Sequence, residues 1–362
     1  MLERFKVPVA DQVRVSEIAL RQTVAAILEK CNLLPEDAAL GADVLVTTDL
    51  RGVESHGVSN MLRTYVQRYQ QGDYNPRPNW RIMREAPSTA TIDGDNGLGI
   101  ILGPKAMRIA MDKAKAVGVG IVTMYKSHHL GAVGHHAMLA AQEDMVGMCM
   151  TATQPGVVPT FGAEPRFGTN PIAIAAPAKL QPPVLFDVAT SAVAGNKIAL
   201  ATRIGSTLLP GWVTDSAGNP IMEETPVKPR GQYFQLPLGG SRELGSHKGY
   251  GLGLMVETLC TMLSGMLPFG LERDTGYKHY FAAYNIAAFT EVETFKANMD
   301  QMLGWLLETK PALGQERVLY PGILEHEEER QRRQYGIPLH KEVIQWFDQT
   351  TNALGVPPLE TL

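Results

Sequence analysis

Apolar positions recur at helical spacing through the first eighty residues of the chain. Val15, Ile18, Ala19, Val24, Ala25, Ile27 and Leu28 mark one side of a first helix, the 3.6-residue period that lets a helix bury one face. Pro35-Glu36-Asp37 reads as the start of a second, which runs to Leu50. Proline suits the first turn, and carboxylates there complement the helix dipole. A third helix is predicted from Val58 to Gln71, stopped by Gly72. From Thr89 onward the period changes. Ala90-Thr91-Ile92-Asp93, a helix over 104–116, Val119 to Thr123, a helix over 131–144, and Gly147 to Thr151 alternate strand with helix. That alternation predicts an α/β fold, a sheet covered by helices.

Residues 153–240 are rich in proline and glycine, with short strands predicted over Pro171 to Ala176 and Val184 to Val188. An apolar helix follows over Gly249 to Leu263, and the charged run 323–334 reads as a solvated helix surface. The 362 residues exceed what one hydrophobic core usually serves, so two subdomains are expected.

Composition narrows the partners. The chain is 44% hydrophobic and 19% charged with a net charge of −4, a globular balance without the basic field that attracts nucleic acid or anionic lipid. A small, diffusible partner fits better. Cys31, Cys149 and Cys260 are far apart and sit in apolar runs, so they read as buried small hydrophobes in a reducing compartment. Met1 to Lys6 lack a signal-peptide apolar region, and runs such as Ile172 to Ala178 are too short to span a bilayer. A cytoplasmic location is expected.

Four segments carry candidate chemistry. Arg51-Gly52-Val53-Glu54-Ser55-His56-Gly57 ends the second helix and hands a histidine to a glycine-flanked turn. Imidazole both gives and takes a proton near neutrality; a helix-end histidine also serves simply to cap carbonyls. Ser127-His128-His129-Leu130-Gly131-Ala132-Val133-Gly134-His135-His136 puts His129 at a strand-to-helix junction. Four histidines in nine residues keep a metal-dependent lyase or hydrolase open, although their spacing is looser than zinc sites usually show. Phe186-Asp187-Val188-Ala189-Thr190-Ser191 ends a strand where α/β sheets place ligand contacts, so Asp187 could orient a histidine, hold ribose hydroxyls or cap a helix. Ser246-His247-Lys248-Gly249-Tyr250-Gly251 opens the apolar helix with a cation and free backbone N–H groups, a favourable place for phosphate.

One stretch resembles a dinucleotide-binding glycine loop, Gly97-Leu98-Gly99-Ile100-Ile101-Leu102-Gly103. An ordinary Rossmann site also needs an acidic residue about 20 positions on, for the ribose. Met124-Tyr125-Lys126 stands there instead, and Asp93 and Asp95 precede the loop where they would repel a pyrophosphate. The stretch is not read as a Rossmann site.

Taken in order, Asp49-x-Arg51-Gly52-x-x-Ser55-His56-Gly57, Ser127-x-His129-x-Gly131-Ala132-x-Gly134, Phe161-Gly162 through Gly168-Thr169-Asn170-Pro171, Phe186-Asp187-x-Ala189-Thr190-Ser191, Lys248-Gly249-Tyr250-Gly251 and Tyr320-Pro321-Gly322 resemble the second, non-Rossmann type of malate/L-lactate dehydrogenase. The resemblance covers residues 14 to 340. It implies a non-Rossmann NAD(P)-binding sheet covered by helices, in a domain over 86–310. A helical domain over 1–85, completed by 311–362, would serve substrate binding and dimerisation. It further implies a homodimeric NAD- or NADP-dependent oxidoreductase moving hydride between nicotinamide and C2 of a small 2-hydroxy or 2-oxo acid. Ureidoglycolate-type and cyclic-imine substrates are the alternatives within the family, and a catalytically inactive nucleotide-binding relative is a third. By this resemblance His56 and His129 are the catalytic acid–base residues. Ser55, Asn60 and Arg63 line the substrate end. Thr153, Thr169, Asn170, Asp187, Val188, Ala189, Thr190, Ser191, Lys248, Gly249 and Gly322 contact the cofactor, and no resident metal is implied. Asn60 stands where relatives carry an arginine suited to grip a carboxylate; Arg63 lies one turn later.

Overall fold

The computed structural model describes residues 6–229, 231–272 and 276–362. The first part runs β1 (Gln12–Val15), α1 (Glu17–Lys30), α2 (Pro35–Leu50), α3 (Val58–Gln70), β2 (Arg81–Glu85) and β3 (Thr89–Gly97). The middle follows as α4 (Gly99–Val117), β4 (Val119–Ser127), α5 (Val133–Ala141), β5 (Met145–Ala152), β6 (Ile172–Ala176), β7 (Val184–Val188) and α6 (Gly195–Ile204). The rest is α7 (Ser246–Val256), β8 (Tyr277–Asn285), α8 (Val292–Leu307), α9 (Ile323–Tyr335), β9 (Ile337–His340) and α10 (Lys341–Leu354).

The predicted helices at the start of the chain form because each buries one stripe. Leu20, Val24, Ile27 and Leu28 of α1, Leu45 and Leu50 of α2, and Leu62 and Tyr65 of α3 share a core with Ile337, Leu339, Val343 and Phe347. Ser16 starts α1 by accepting the Ala19 N–H. β1 and β9 pair antiparallel, Val15 opposite Ile337, so the two ends of the chain close on one another.

Among the described residues seven strands make the main sheet, in the order β2-β3-β4-β8-β5-β6-β7. Only β3 and β4 run parallel; every other neighbouring pair is antiparallel. One face is covered by α4 and α5, whose Ala106, Ala110, Ala114, Ala137 and Ala140 lie against Val122, Met124, Cys149 and Phe281. The other face packs Met150, Ala152, Tyr280 and Ala282 against Val256 and Cys260, the latter in the π-helical turn Glu257–Met262 that prolongs α7. All three cysteines are free thiols, and burial pushes those of Cys149 and Cys260 far up. Among the described residues no helix is long and apolar enough to cross a membrane.

The sequence reading contains no β1, β2, α6, α8, β9 or α10, and three further differences bear on the site. The central strand β8 was not predicted. Its run carries Lys278 and His279, both buried, and a strand covered on both faces shows no polar alternation to betray it. α4 begins at Gly99, not at 104, so the glycine-rich stretch is the opening of a helix and no phosphate loop. A Cβ on Gly99 would fall 2.4 Å from the His128 carbonyl oxygen; the glycine serves close packing against the His128-His129 turn. The charged helix α9 is solvated on one side only, for Arg332 is buried and points into the protein.

β4 and β5 end, and β8 begins, at the same edge of the sheet, with Ser127 opposite Tyr277 and Ala152 opposite Lys278. His129, Thr153 and Tyr277 therefore lie at one end of the sheet, the carboxyl end of β4 and β5, where open α/β sheets place ligands.

Candidate active site

His56 is held by a turn with its own supports. The Asp49 side chain, in the last turn of α2, accepts the Val58 N–H at 2.7 Å and so caps α3, whose N-cap Gly57 has no side chain to offer. A Cβ on Gly57 would lie 2.1 Å from Asp49 Oδ1, so only glycine lets the carboxylate in. From α9, the Arg332 guanidinium donates to the Asp49 carbonyl and to Glu54 Oε1, both at 2.8 Å, and to Glu328 Oε2 at 3.1 Å. Burial, reinforced by the Glu54 charge, pushes the Asp49 carboxyl up to about 8, and burial raises Glu54 as well; Arg332 opposes both shifts. The ion pair keeps the turn in one register across 278 residues of sequence.

The two candidate catalytic histidines come together although 73 residues separate them (129 minus 56). Their rings stack with centroids 5.6 Å apart and planes within 10°. His56 Nδ1 is 2.9 Å from Ser55 Oγ. His129 Nδ1 lies 2.7 Å from the Tyr65 hydroxyl and accepts the Gly131 N–H at 3.1 Å. A backbone N–H can only donate, so Nδ1 carries the lone pair and the neutral ring holds its hydrogen on Nε2. Burial lowers His56 to about 4, helped by the nearby Lys197 ammonium, and lowers His129 to about 3, helped by His56. Both are neutral at neutral pH. Tyr277 closes the site edge-on, its ring centroid 6.3 Å from that of His129.

Asn60 and Arg63, predicted at the substrate end, are otherwise engaged. Asn60 Nδ2 donates to the Ser55 carbonyl at 3.0 Å and to the Asn196 carbonyl at 3.2 Å, while its Oδ1 accepts from Arg203 at 3.2 Å. It therefore ties α6 to the His56 turn. Arg63 pairs with Glu342 at 2.6 Å and lies over the Trp346 ring, on a surface groove lined also by Gln67, Gln345 and Gln349. No histidine of the pair lines that groove.

The predicted cofactor residues gather on the β5–β7 side, several with side chains already spoken for. Asn170 Oδ1 accepts the Thr153 N–H at 2.9 Å, and its Nδ2 donates to Glu257 Oε1 at 3.0 Å and the Gly253 carbonyl at 3.3 Å. Its amide is consumed in joining β5 to α7. Thr190 donates from both N–H and Oγ1 to the Thr169 carbonyl, and Ser191 Oγ donates to the Val193 carbonyl at 2.7 Å. These three side chains position backbone on this side of the sheet. Asp187 Oδ2 accepts the Gly134 N–H at 2.8 Å, so of its three predicted roles the one observed is capping, and of α5 instead of the helix that follows in sequence. Desolvation by the surrounding protein raises its carboxyl to about 6, although the residue keeps contact with solvent. Val188 and Ala189 continue from the end of β7 beside it. Gly322, at φ +99°, starts α9 against the Leu185 backbone. Lys248 is exposed in the first turn of α7, whose N-cap Gly245 makes no side-chain cap. The Ser246 N–H donates to the Ser241 carbonyl and the Lys248 N–H to the Gly245 carbonyl, so the predicted run of free N–H groups is partly used, and the exposed Lys248 ammonium is what this end of α7 offers an anionic phosphate group.

The other histidines diverge. The His128 ring lies tilted against Tyr74, centroids 4.1 Å apart, and bonds Asn96; His135 faces Asp43; His136 donates from Nε2 to the Leu130 carbonyl at 2.9 Å. Among the described residues no three His, Cys, Asp or Glu side chains converge as a metal site would. Sequence reasoning missed Tyr65, Lys197, Tyr277 and Arg332. Tyr65 hides in the apolar stripe of α3. Lys197 was one lysine among ordinary helix residues. Arg332 sat in a run of charges that looked uniformly solvated.

Comparison with known proteins fixes the class as hydroxy-acid dehydrogenase. A malate dehydrogenase of Pyrococcus abyssi is 40% identical over 356 residues, 97% of each chain. An L-sulfolactate dehydrogenase of Methanocaldococcus jannaschii is 34% identical, covering 93% of this chain and 96% of that one. The solved structure of malate dehydrogenase from Pyrococcus horikoshii superposes with a TM-score of 0.88 at 36% identity, over 98% of this chain and 99% of that one. Residues 15–348 match the malate/L-lactate dehydrogenase family, and the chain belongs to it.

Proposed function

We propose that this oxidoreductase interconverts a small 2-hydroxy acid and its 2-oxo acid with NAD or NADP, and that His56 and His129 divide the proton work between them. The stacked pair carries the reading. His129, with hydrogen on Nε2, donates a hydrogen bond to the C2 oxygen and stabilises the carbonyl form. His56, neutral and oriented by Ser55, takes the hydroxyl proton in oxidation and returns it in reduction. The nicotinamide, when bound, supplies or accepts the hydride. Thr153, Thr169, Asp187, Val188, Ala189 and Gly322 line its side of the site, supported by Asn170, Thr190 and Ser191, with Lys248 and Gly249 at its phosphates. Asn60 supports the substrate end from behind by docking α6 on the His56 turn, and Arg63 is not assigned to it.

Malate and sulfolactate, the substrates named for the Pyrococcus and Methanocaldococcus relatives, are 2-hydroxy acids with a second acidic group, and substrates of that kind are the first to try. A homodimer in the cytoplasm completes the proposal. Leu252, Leu254, Met255, Met262, Leu263 and Leu267 are exposed along α7 and beyond, which supports association with a second copy. NADH and NADPH fluorescence titrations, followed by turnover of oxaloacetate, sulfopyruvate and pyruvate, test the reading. Binding with turnover supports it, and failure to bind either nucleotide overturns it.

A further inference from the structure

The proposed reaction acts on a carboxylate, and the arginine that would grip it is absent at position 60. We infer that Lys197, in the first turn of α6, is the cation that receives the substrate carboxylate. This rests on the hydroxy-acid dehydrogenase reading above and names the residue that makes the site selective for acids.

The argument begins with how α6 is docked. Asn60 Nδ2 bonds the carbonyl of Asn196, the residue next to Lys197, and the Asn196 amide in turn reaches Met61 Sδ at 3.2 Å. Arg203, two turns on, closes the contact through Asn60 Oδ1. α6 is thus pinned to the segment that carries His56 at both its start and its end. The pin uses the position where a guanidinium would have stood and brings a different cation to the same turn.

Charge pairing then singles out that cation. Arg63 and Arg203 both face Glu342, Arg51 faces Glu329, and Arg332 faces Glu54 and Glu328. Lys197 has no carboxylate partner among the described residues, and burial alone lowers its ammonium. It is near enough to His56 to press that ring toward its neutral form. A half-buried ammonium with no counter-ion is costly unless an anion arrives. Here the anion would arrive beside the acid–base histidine, where a 2-hydroxy acid presents its carboxylate one bond from the reacting carbon.

The chemistry predicts binding in place of proton transfer. Lysine grips a carboxylate as a point charge, with less geometric demand than the bidentate arginine fork. A pocket built this way tolerates acids of different length behind C2.

The test is Lys197→Met and Lys197→Arg, with oxaloacetate and pyruvate as substrates and the nucleotide the wild type uses. Loss of one charge-assisted contact should raise KM for both acids roughly 10–100-fold in Lys197→Met, with a smaller change in kcat. Lys197→Arg should recover part of the loss. Nucleotide affinity by fluorescence and the melting temperature should stay at wild-type values in both. An unchanged KM in Lys197→Met, with an active wild type, overturns the assignment and leaves the dehydrogenase reading intact. Lost nucleotide binding, or a lowered melting temperature without rescue by arginine, makes Lys197 structural and also overturns it. A wild type that binds nucleotide yet turns over no 2-oxo acid removes both.

Discussion

The Tyr65 hydroxyl stands 2.7 Å from Nδ1 of His129, joining the third helix to the strand-to-helix junction 64 residues further along. With the Gly131 N–H on the same nitrogen, it fixes which face of the imidazole is left to work. The His129 ring is thereby a hydrogen-bond donor at Nε2, and a base at Nε2 would have to break the Gly131 contact. Tyr65→Phe keeps the ring volume and removes one donor, so turnover should fall about tenfold, the cost of one hydrogen bond of about 1 kcal/mol or a little more. The ¹⁵N shifts of His129 should still report the Nε2–H form, and a switch to Nδ1–H in the wild type would defeat the division of roles proposed for the pair.

Removing either ring tests the pair directly. His56→Ala and His129→Ala should each lower kcat by roughly 10²–10⁴-fold, the usual worth of a positioned acid–base group, with nucleotide titration unchanged. If His56→Ala folded normally and kept wild-type turnover, His56 could not be the proton acceptor.

The histidines also set a pH dependence. Both are held neutral, His56 down to about 4 and His129 to about 3, against an ordinary value of 6.5. The base is therefore in working form throughout the neutral and mildly acidic range. kcat/KM for oxidation should show no acid-side fall at pH 6.5, and its inflection should lie near 4. Stability follows the same sign. Between pH 6.5 and 4 the unfolded chain binds protons that the folded rings refuse, so the free energy of unfolding decreases as pH falls through that window. Denaturant melts at pH 7 and pH 5 should differ in that direction, and the gap should narrow in His56→Asn.

Arg332 and Glu54 make a buried pair that supports the His56 turn from another part of the chain. Breaking it strands a charge. Arg332→Met should destabilise the protein by about 3–5 kcal/mol, read by urea denaturation, and should depress kcat because the turn carrying His56 loses its clamp on the Asp49 carbonyl. Turnover at the wild-type rate in a folded Arg332→Met protein would show that the clamp serves stability alone.

What could be read from the chain was local. The 3.6-residue stripes of α1, α2 and α3 announced themselves because each buries one face, and the short strands β4 to β7 because each is a brief apolar run bounded by turn residues. The His56 and His129 segments were visible for the same reason: glycine-flanked turns at element ends are written in consecutive residues. Both histidines were legible as candidates, but their stacking was not.

Tertiary structure decided everything that joins distant residues. β8 lies at the centre of the sheet because it pairs with β4 and β5, and no periodicity within Tyr277–Asn285 marks that place. Asn60 looked like a weakened substrate contact until α6 was seen docked on it, and Lys197 acquired meaning only because no acid among the described residues pairs with it. Thr190, Ser191 and Asn170 looked like ligand contacts, yet their side chains are satisfied by the protein's own carbonyls and amides. A hydrogen bond or an ion pair belongs to two positions at once, so the sequence lists the donors and acceptors and only the fold determines which are left over for a substrate.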